Sequence, residues 1–171
     1  MGRDEFSWRC GSTGDVQVKL HMKVIVKIAI VLLLGVGALL AQSELEPGST
    51  HLINPEDLLM LLQVPKGDKP LILNVGPHLL YMQAHIPDAE YIGAGSASQG
   101  LESLRRRVKT LSHNTFIVLY CGCCPWSHCP NVRPAYNELH KLGFTNVKVL
   151  YIADNFGTDW VDKGYPIVKG Q

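Results

Sequence analysis

The fold of this chain is decided by residues 116–135, FIVLYCGCCPWSHCPNVRPA. The stretch opens on an apolar run of β-branched and aromatic residues, which is typical of a strand buried on both faces. It then enters a loop that holds four of the chain's five cysteines, and from about Asn131 it has the pattern of an amphipathic helix. Because open α/β sheets bind ligands where a buried strand gives way to a helix, we predict that any chemistry occurs at this loop.

The segments on either side alternate between strand and helix patterns. Residues 71–75 and 147–150 have the composition of short buried strands. Residues 98–111 carry apolar side chains at helical spacing, and Asn54 and Pro55 ahead of two acidic residues mark the start of another helix. This alternation predicts a parallel sheet covered by helices on both faces.

Bulk composition is that of an ordinary globular protein, with 46% hydrophobic and 18% charged residues. The formal net charge is +1, so the chain has no strong field that would attract a polyanion. The one basic run, residues 105–107, falls on the predicted helix of residues 98–111, where it is typical of a solvated face. We therefore expect no nucleic-acid partner.

Residues 1–43 differ in character from the rest of the chain. A basic segment begins at Met22, an apolar run covers residues 28–41, and Ala41 and Ser43 supply the small residues of a cleavage site. This order is typical of a secretory signal peptide. We predict four parts: residues 1–21 as a non-native upstream extension, 22–43 as the signal peptide, 44–50 as a mobile leader, and 51–171 as the folded domain.

The predicted signal peptide implies an exported protein, either periplasmic or secreted. A retained segment would instead anchor the chain to a membrane, but its uninterrupted apolar part is shorter than the ~20 residues that a spanning helix needs. Export also changes how the cysteines are interpreted, because disulfides form and persist outside the cytoplasm. The fifth cysteine, Cys10, precedes the signal, so we expect it to be absent from the mature protein.

Five short motifs follow one another along the folded part. They are LILNV at 71–75, HIP at 85–87, IVLYC at 117–121, LGF at 142–144 with Val147, and Trp160 with GYP at 164–166. In this order and at these distances the chain resembles a single-domain rhodanese from about Leu52 to Lys169. The resemblance implies a three-layer α/β/α fold with a five-stranded, mainly parallel sheet.

The resemblance also implies sulfur transfer. The position that matches the family nucleophile is Cys121, which would take a sulfane sulfur from thiosulfate or a persulfide donor, become a persulfide, and pass the sulfur to a thiol acceptor. The implied partners are therefore a small sulfur donor and a thiol acceptor, with a partner protein as a further candidate, and no cofactor is required. A membrane is a partner only if the signal segment is retained.

The chain departs from the family at the site itself. Family members usually carry Asp at the position of Asn74 and Arg at that of Gly76, and the loop after Cys121 is longer than the family's. Counting back from the helix end at Gly143 puts Asn131 where the loop arginine would fall. Arg133 lies close by and is the candidate for holding an anionic donor.

The cysteine loop leaves three interpretations open. Cys121 could carry sulfur while Cys124 or Cys129 acts as a resolving thiol by forming a disulfide. Alternatively, the thiols of Cys121, Cys123, Cys124 and Cys129 with the imidazole of His128 could bind a soft metal, Cu or Zn. In the third interpretation, disulfides simply brace an enlarged loop.

The sulfur-carrier interpretation leads to the most specific expectations. We expect Cys121→Ser to abolish transfer while Cys123→Ser is tolerated. We also expect Cys121 to bond reversibly with Cys124 or Cys129, and disulfide geometry favours Cys124 if the loop turns tightly.

Overall fold

The computed structural model describes residues 51–65 and 69–170. The predicted extension, signal peptide and leader, residues 1–50, and with them Cys10, lie outside the described residues. Within the part of the chain that the structure describes, no helix combines the length and the apolar character needed to cross a membrane.

The described residues form a parallel sheet with helices in the connections. The strands are β1 (Leu52–Ile53), β2 (Leu71–Asn74), β3 (Glu90–Tyr91), β4 (Ile117–Tyr120) and β5 (Val147–Leu150). The α-helices are α1 (Pro55–Leu62), α2 (His78–Gln83), α3 (Ser98–Val108) and α4 (Val132–Lys141). A 3₁₀ turn covers Trp126–His128, and a π-helical turn covers Gly157–Val161.

Strand order in the sheet is β1-β5-β4-β2-β3, which puts β4 at the centre. Every pairing between these strands is parallel, with Leu119 of β4 opposite Leu73 of β2 and Val149 of β5. The predicted five-stranded, mainly parallel sheet is therefore confirmed. The carboxyl ends of β2 and β4 meet at one edge, where the cysteine loop begins.

Alternation along the strands divides the core into two layers. Leu119 lies in one layer with the buried faces of α3 and α4, whereas Val118 lies in the other with Leu58 of α1 and Trp160. Because both faces of the sheet are covered, a strand in its centre is apolar at every position. This arrangement confirms the three-layer α/β/α fold.

The sequence pattern from about Asp154 to Lys163 predicts a final helix. This segment forms the π-helical turn, with the N–H of Asp162 donating to the carbonyl of Gly157 at 2.8 Å. Side chains explain this form of helix, because the Asn155 Oδ1 and an Asp159 carboxylate oxygen accept backbone N–H groups at 3.0 and 2.7 Å. Such local bonds compete with the regular helical pattern.

We predict that Leu119→Ala lowers the free energy of unfolding by about 2–5 kcal/mol, since it opens a cavity in a packed core. Leu119 is 0% exposed at the centre of the sheet. The matched control is Leu79→Ala, whose side chain is 70% exposed on α2 and should change stability by less than about 0.5 kcal/mol. Urea unfolding followed by circular dichroism measures both, and equal losses would contradict the assigned core.

Candidate active site: the cysteine loop

Cys121 follows β4 directly, at the carboxyl end of the central strand, and it is 4% exposed. The next residue, Gly122, turns the chain with a φ of +82°. A Cβ atom there would lie 2.9 Å from the Phe156 Cβ, so both the left-handed backbone and the close packing require glycine. This turn directs the rest of the loop back over the end of the sheet.

The far part of the loop is fixed to the fold at Trp126. Its backbone N–H donates to the carbonyl of Ile152 at 2.9 Å, and its indole is buried against the core. The 3₁₀ turn that begins at Trp126 leads into Cys129, and α4 starts shortly afterwards. The longer loop is therefore packed on the domain, and it holds its cysteines in defined positions.

The four loop sulfurs lie close together. The Sγ of Cys123 is 3.1 Å from that of Cys121 and 3.0 Å from that of Cys124. Sγ atoms of Cys121, Cys123 and Cys129 all lie within 4.8 Å of one another. All four cysteines are free thiols in this structure.

Asn131 makes the most specific contact with Cys121. Its side-chain Nδ2 donates to the Cys121 Sγ at 3.3 Å. The side-chain amide cannot exchange its oxygen and nitrogen without losing hydrogen bonds, because its Oδ1 accepts both the backbone N–H and the hydroxyl of Ser96 at 3.1 and 2.8 Å. Asn131 is 4% exposed, so this buried amide presents an N–H to the sulfur in a low-polarity setting where a hydrogen bond to a charged atom is strong.

Gly76 lies on the other side of Cys121. A Cβ atom at Gly76 would come within 2.4 Å of the Cys121 carbonyl oxygen and 3.1 Å of its Sγ. The Gly76 backbone is held there by its N–H, which donates to the Asn74 Oδ1 at 3.0 Å. No side chain fits at this position, so Cys121 meets a neutral backbone on this side.

Cys121 and Cys129 differ in their electrostatic environments. Hydrogen bonding with Cys121, helped by the backbone N–H groups of Asn131 and Val132, lowers the pKa of Cys129 to about 5. Hydrogen bonding with Cys129, followed by burial, raises the pKa of the Cys121 thiol. The N–H groups belong to the start of α4, whose dipole also favours an anion. These contacts favour the anion on Cys129 over Cys121.

Cys124 has a different environment. Burial, followed by hydrogen bonding with Cys123, raises the pKa of Cys124 to about 12, so at neutral pH this residue is a thiol. Because the thiolate is the reactive form of cysteine, Cys124 is a weaker nucleophile than Cys129.

Two predicted site residues lie away from the sulfurs. His128 is exposed, and its ring Nδ1 is 3.0 Å from the Ser127 hydroxyl. Arg133 is also exposed, in the first turn of α4. Asn131, at the start of α4, is the residue that contacts Cys121. The sequence placed Asn131 at the position of the loop arginine but predicted no contact for it. An amide side chain two residues before the candidate Arg133 was the only sign of this role in the sequence.

The cysteine cluster could hold a soft metal ion. Among the described residues, the group whose ligand atoms converge is Cys121, Cys123 and Cys129. Thiolates of this kind suit Cu(I) or Zn, whereas His128 is not part of the group. Three sulfurs from one loop and the following turn would leave a fourth position open.

Comparison with known proteins shows which solved structures have a similar fold. No protein-family model matches the chain, and no curated protein matches it. Among solved structures, the chain is similar to the BH2092 protein from Bacillus halodurans, at 23% identity and a TM-score of 0.53 over 70% of this chain and 77% of that one.

Two further structures are of the Alr3790 protein from Anabaena sp. The crystal structure aligns at 19% identity and a TM-score of 0.53, covering 69% of this chain and 92% of that one. The solution structure of its rhodanese-like domain aligns at 20% identity and a TM-score of 0.50, covering 70% and 79%. Together with the sheet order, these likenesses show that the described part of the chain has a rhodanese-like fold.

Proposed function

We propose that the domain is a sulfurtransferase that carries a sulfane sulfur as a persulfide on Cys121, taken from thiosulfate or a persulfide donor and passed to a thiol acceptor. One observation carries the proposal: the Cys121 Sγ, at the carboxyl end of the central strand, accepts the buried and oriented Nδ2 of Asn131 at 3.3 Å. A donor directed at a sulfur stabilises that sulfur as it becomes an anion.

The first half of the proposed reaction uses Cys129 as a base. With thiosulfate, the Cys121 Sγ bonds to the outer sulfur while the sulfur–sulfur bond of the donor breaks and sulfite leaves. The thiol proton of Cys121 passes to the Cys129 thiolate, whose Sγ lies within 4.8 Å of the Cys121 Sγ. The result is a Cys121 persulfide anion, a neutral Cys129 thiol and sulfite, so charge and protons balance.

The second half of the reaction needs a nucleophile for the outer sulfur. An acceptor thiolate bonds to that sulfur, the bond to the Cys121 Sγ breaks, and Cys121 leaves as a thiolate. Asn131 again faces the sulfur on which charge develops. Leaving is favoured when the departing thiolate is stabilised, because a thiol of lower pKa leaves faster.

Access to Cys121 passes through the loop. Cys121 is 4% exposed, while Cys123 and Cys124 are partly exposed and lie nearer the solvent. The donor therefore reaches Cys121 only when the segment between Gly122 and Trp126 moves aside. Trp126 is fixed by its bond to Ile152, so the movable part of the loop is short.

A second candidate function is metal binding without turnover. The observation that favours it is the convergence of three sulfurs, from Cys121, Cys123 and Cys129, within 4.8 Å. A protein of this kind would sequester Cu or Zn, and it would need all three thiolates. Sulfur transfer, in contrast, needs Cys121 above all.

We predict that Cys121→Ser abolishes sulfur uptake, because serine has no sulfur to form the persulfide. Intact-protein and peptide mass spectrometry after reaction with thiosulfate measures the gain of one sulfur. The matched control, Cys124→Ser, replaces a loop thiol that lies outside the Cys121–Cys129 pair and should take up sulfur as the wild type does. Sulfur gain on another cysteine in the Cys121→Ser protein would contradict the assignment.

We predict that Asn131→Ala slows persulfide formation by roughly 10- to 100-fold. A hydrogen bond to a charged sulfur contributes about 1.5–3 kcal/mol, and losing that much stabilisation of the transition state slows a reaction by about this factor. Asn131→Asp should slow it more and shift the pH–rate profile to higher pH, because a carboxylate repels the Cys121 anion.

Ser96→Ala is the control for this effect. It removes the hydroxyl that bonds the Asn131 Oδ1 but keeps the backbone N–H, so the rate should fall only a few-fold. The Asn131 variants lose no capping hydrogen bond of α4, because the Asn131 side chain makes none to that helix. Unchanged rates and pH profiles in both Asn131 variants would remove its amide from the proposed mechanism.

Cys123→Ser separates the two candidate functions. If the site transfers sulfur, this variant still forms the Cys121 persulfide, because Cys123 takes no part in the bonds made and broken. If the site binds metal, the variant loses most of its bound Cu(I) or Zn, as do Cys121→Ser and Cys129→Ser, while His128→Ala retains it. Metal content after reconstitution of the reduced protein, measured by plasma mass spectrometry, distinguishes these results.

A further inference from the structure

We propose that Cys129 is the resolving thiol of this site: it attacks the Cys121 persulfide at its inner sulfur, closes a Cys121–Cys129 disulfide, and releases the transferred sulfur as hydrosulfide. The inference rests on the proposed function, since it requires the persulfide to form. It adds a product, hydrosulfide, and a substrate class, a dithiol that reduces the disulfide and restarts the cycle. The sequence left Cys124 and Cys129 open as partners and favoured Cys124, whereas the contacts favour Cys129.

Position selects Cys129. Its Sγ lies within 4.8 Å of the Cys121 Sγ. Cys124, in contrast, has its closest sulfur contact with Cys123, at 3.0 Å. Cys129 is also 6% exposed, so its sulfur faces the interior of the site, where the inner sulfur of a persulfide would remain.

Asn131 links the two cysteines. Its side-chain Nδ2 donates to the Cys121 Sγ at 3.3 Å, and Cys129 lies just before it in the chain, ahead of α4. Asn131 is itself fixed by Ser96 and by the start of α4. The two sulfurs are thereby held near each other, and proximity of this kind is what an internal displacement needs.

Cys123 is the competing candidate, because its Sγ is 3.1 Å from that of Cys121. However, only Gly122 separates the two cysteines, and a disulfide between them would close a very small ring at a left-handed glycine with a φ of +82°. Cys129 follows a further turn of chain, which allows the Cα separation and dihedral angle that an unstrained disulfide requires. A Cys121–Cys123 bond is therefore an outcome that the test must detect.

The proposed step balances. Cys129 first returns its proton to the outer sulfur of the persulfide. The resulting Cys129 thiolate then forms a bond to the Cys121 Sγ, and the bond between that atom and the outer sulfur breaks. The outer sulfur takes the electron pair and leaves as hydrosulfide with the persulfide proton. Sulfane sulfur is thereby reduced by two electrons while two cysteine thiols are oxidised to a disulfide. A dithiol then returns two electrons and two protons, becoming a disulfide itself.

The test uses the reduced full chain, freed of reductant and mixed with thiosulfate or, in parallel, with a small persulfide. We expect the wild type to release about one hydrosulfide per protein and to yield a cross-linked Cys121–Cys129 peptide after free thiols are alkylated. Cys129→Ser should retain one extra sulfur on the Cys121 peptide and release at least tenfold less hydrosulfide when the small persulfide is the donor. The matched control, Cys124→Ser, should behave as the wild type.

Several results would overturn the inference. They are a cross-link of Cys121 to Cys123 or Cys124, extra sulfur on the Cys129 peptide, or undiminished hydrosulfide release from Cys129→Ser. The cross-link in the wild type needs no variant, so it tests the inference even if Cys129→Ser folds poorly. A stable Cys121 persulfide in the wild type, with no hydrosulfide, overturns the inference but leaves the proposed function standing. No sulfur uptake with either donor overturns both.

Discussion

The site depends on one close approach, that of the Gly76 backbone to Cys121. Parallel pairing of β2 with β4 brings the two residues to the same edge of the sheet, and the distance leaves no room for a Cβ atom at Gly76. Asn74 secures the contact by accepting the Gly76 N–H. With this side of Cys121 closed by backbone, its sulfur is approached from the loop and from the start of α4.

The start of α4 provides a hydrogen-bond donor to Cys121. Asn131 donates its Nδ2 to the Cys121 sulfur, and its amide is anchored through Ser96 to the loop ahead of α3. Gly95 allows this arrangement, because a Cβ there would lie 2.1 Å from the Asn131 carbonyl oxygen. A neutral, buried hydrogen-bond donor of this kind stabilises a sulfur anion.

The enlarged loop brings further thiols to Cys121 and leaves the sheet as it is. Hydrogen bonding with Cys121 and the backbone N–H groups at the helix start lower the pKa of a second thiol, Cys129. Its position beside Cys121 suits three related tasks: accepting a proton, attacking a persulfide, and binding a soft metal with Cys123. All three use the same sulfurs, and they differ in which bonds form. Single cysteine substitutions therefore separate them.

The sequence by itself determined the sheet, its buried central strand and the location of Cys121. Apolar runs of β-branched residues can be buried only between two covering layers, and the residue after such a run lies at the carboxyl edge. It also predicted a helix end at Gly143, which has a φ of +87°. It does not predict the π-helical form of the final helix, which side-chain bonds from Asn155 and Asp159 to nearby N–H groups favour.

Only the tertiary structure decided which groups meet Cys121. Asn131 reaches it because Ser96, distant in sequence, fixes the orientation of the amide. The positions of Cys124 and Cys129 likewise depend on the hydrogen bond by which Trp126 fixes the loop to Ile152. Linear spacing limits how far apart residues can be, but it does not say which way a folded loop turns them. The direction is set by packing against β5 and α4, and so the partners of Cys121 could not be predicted from the cysteine pattern.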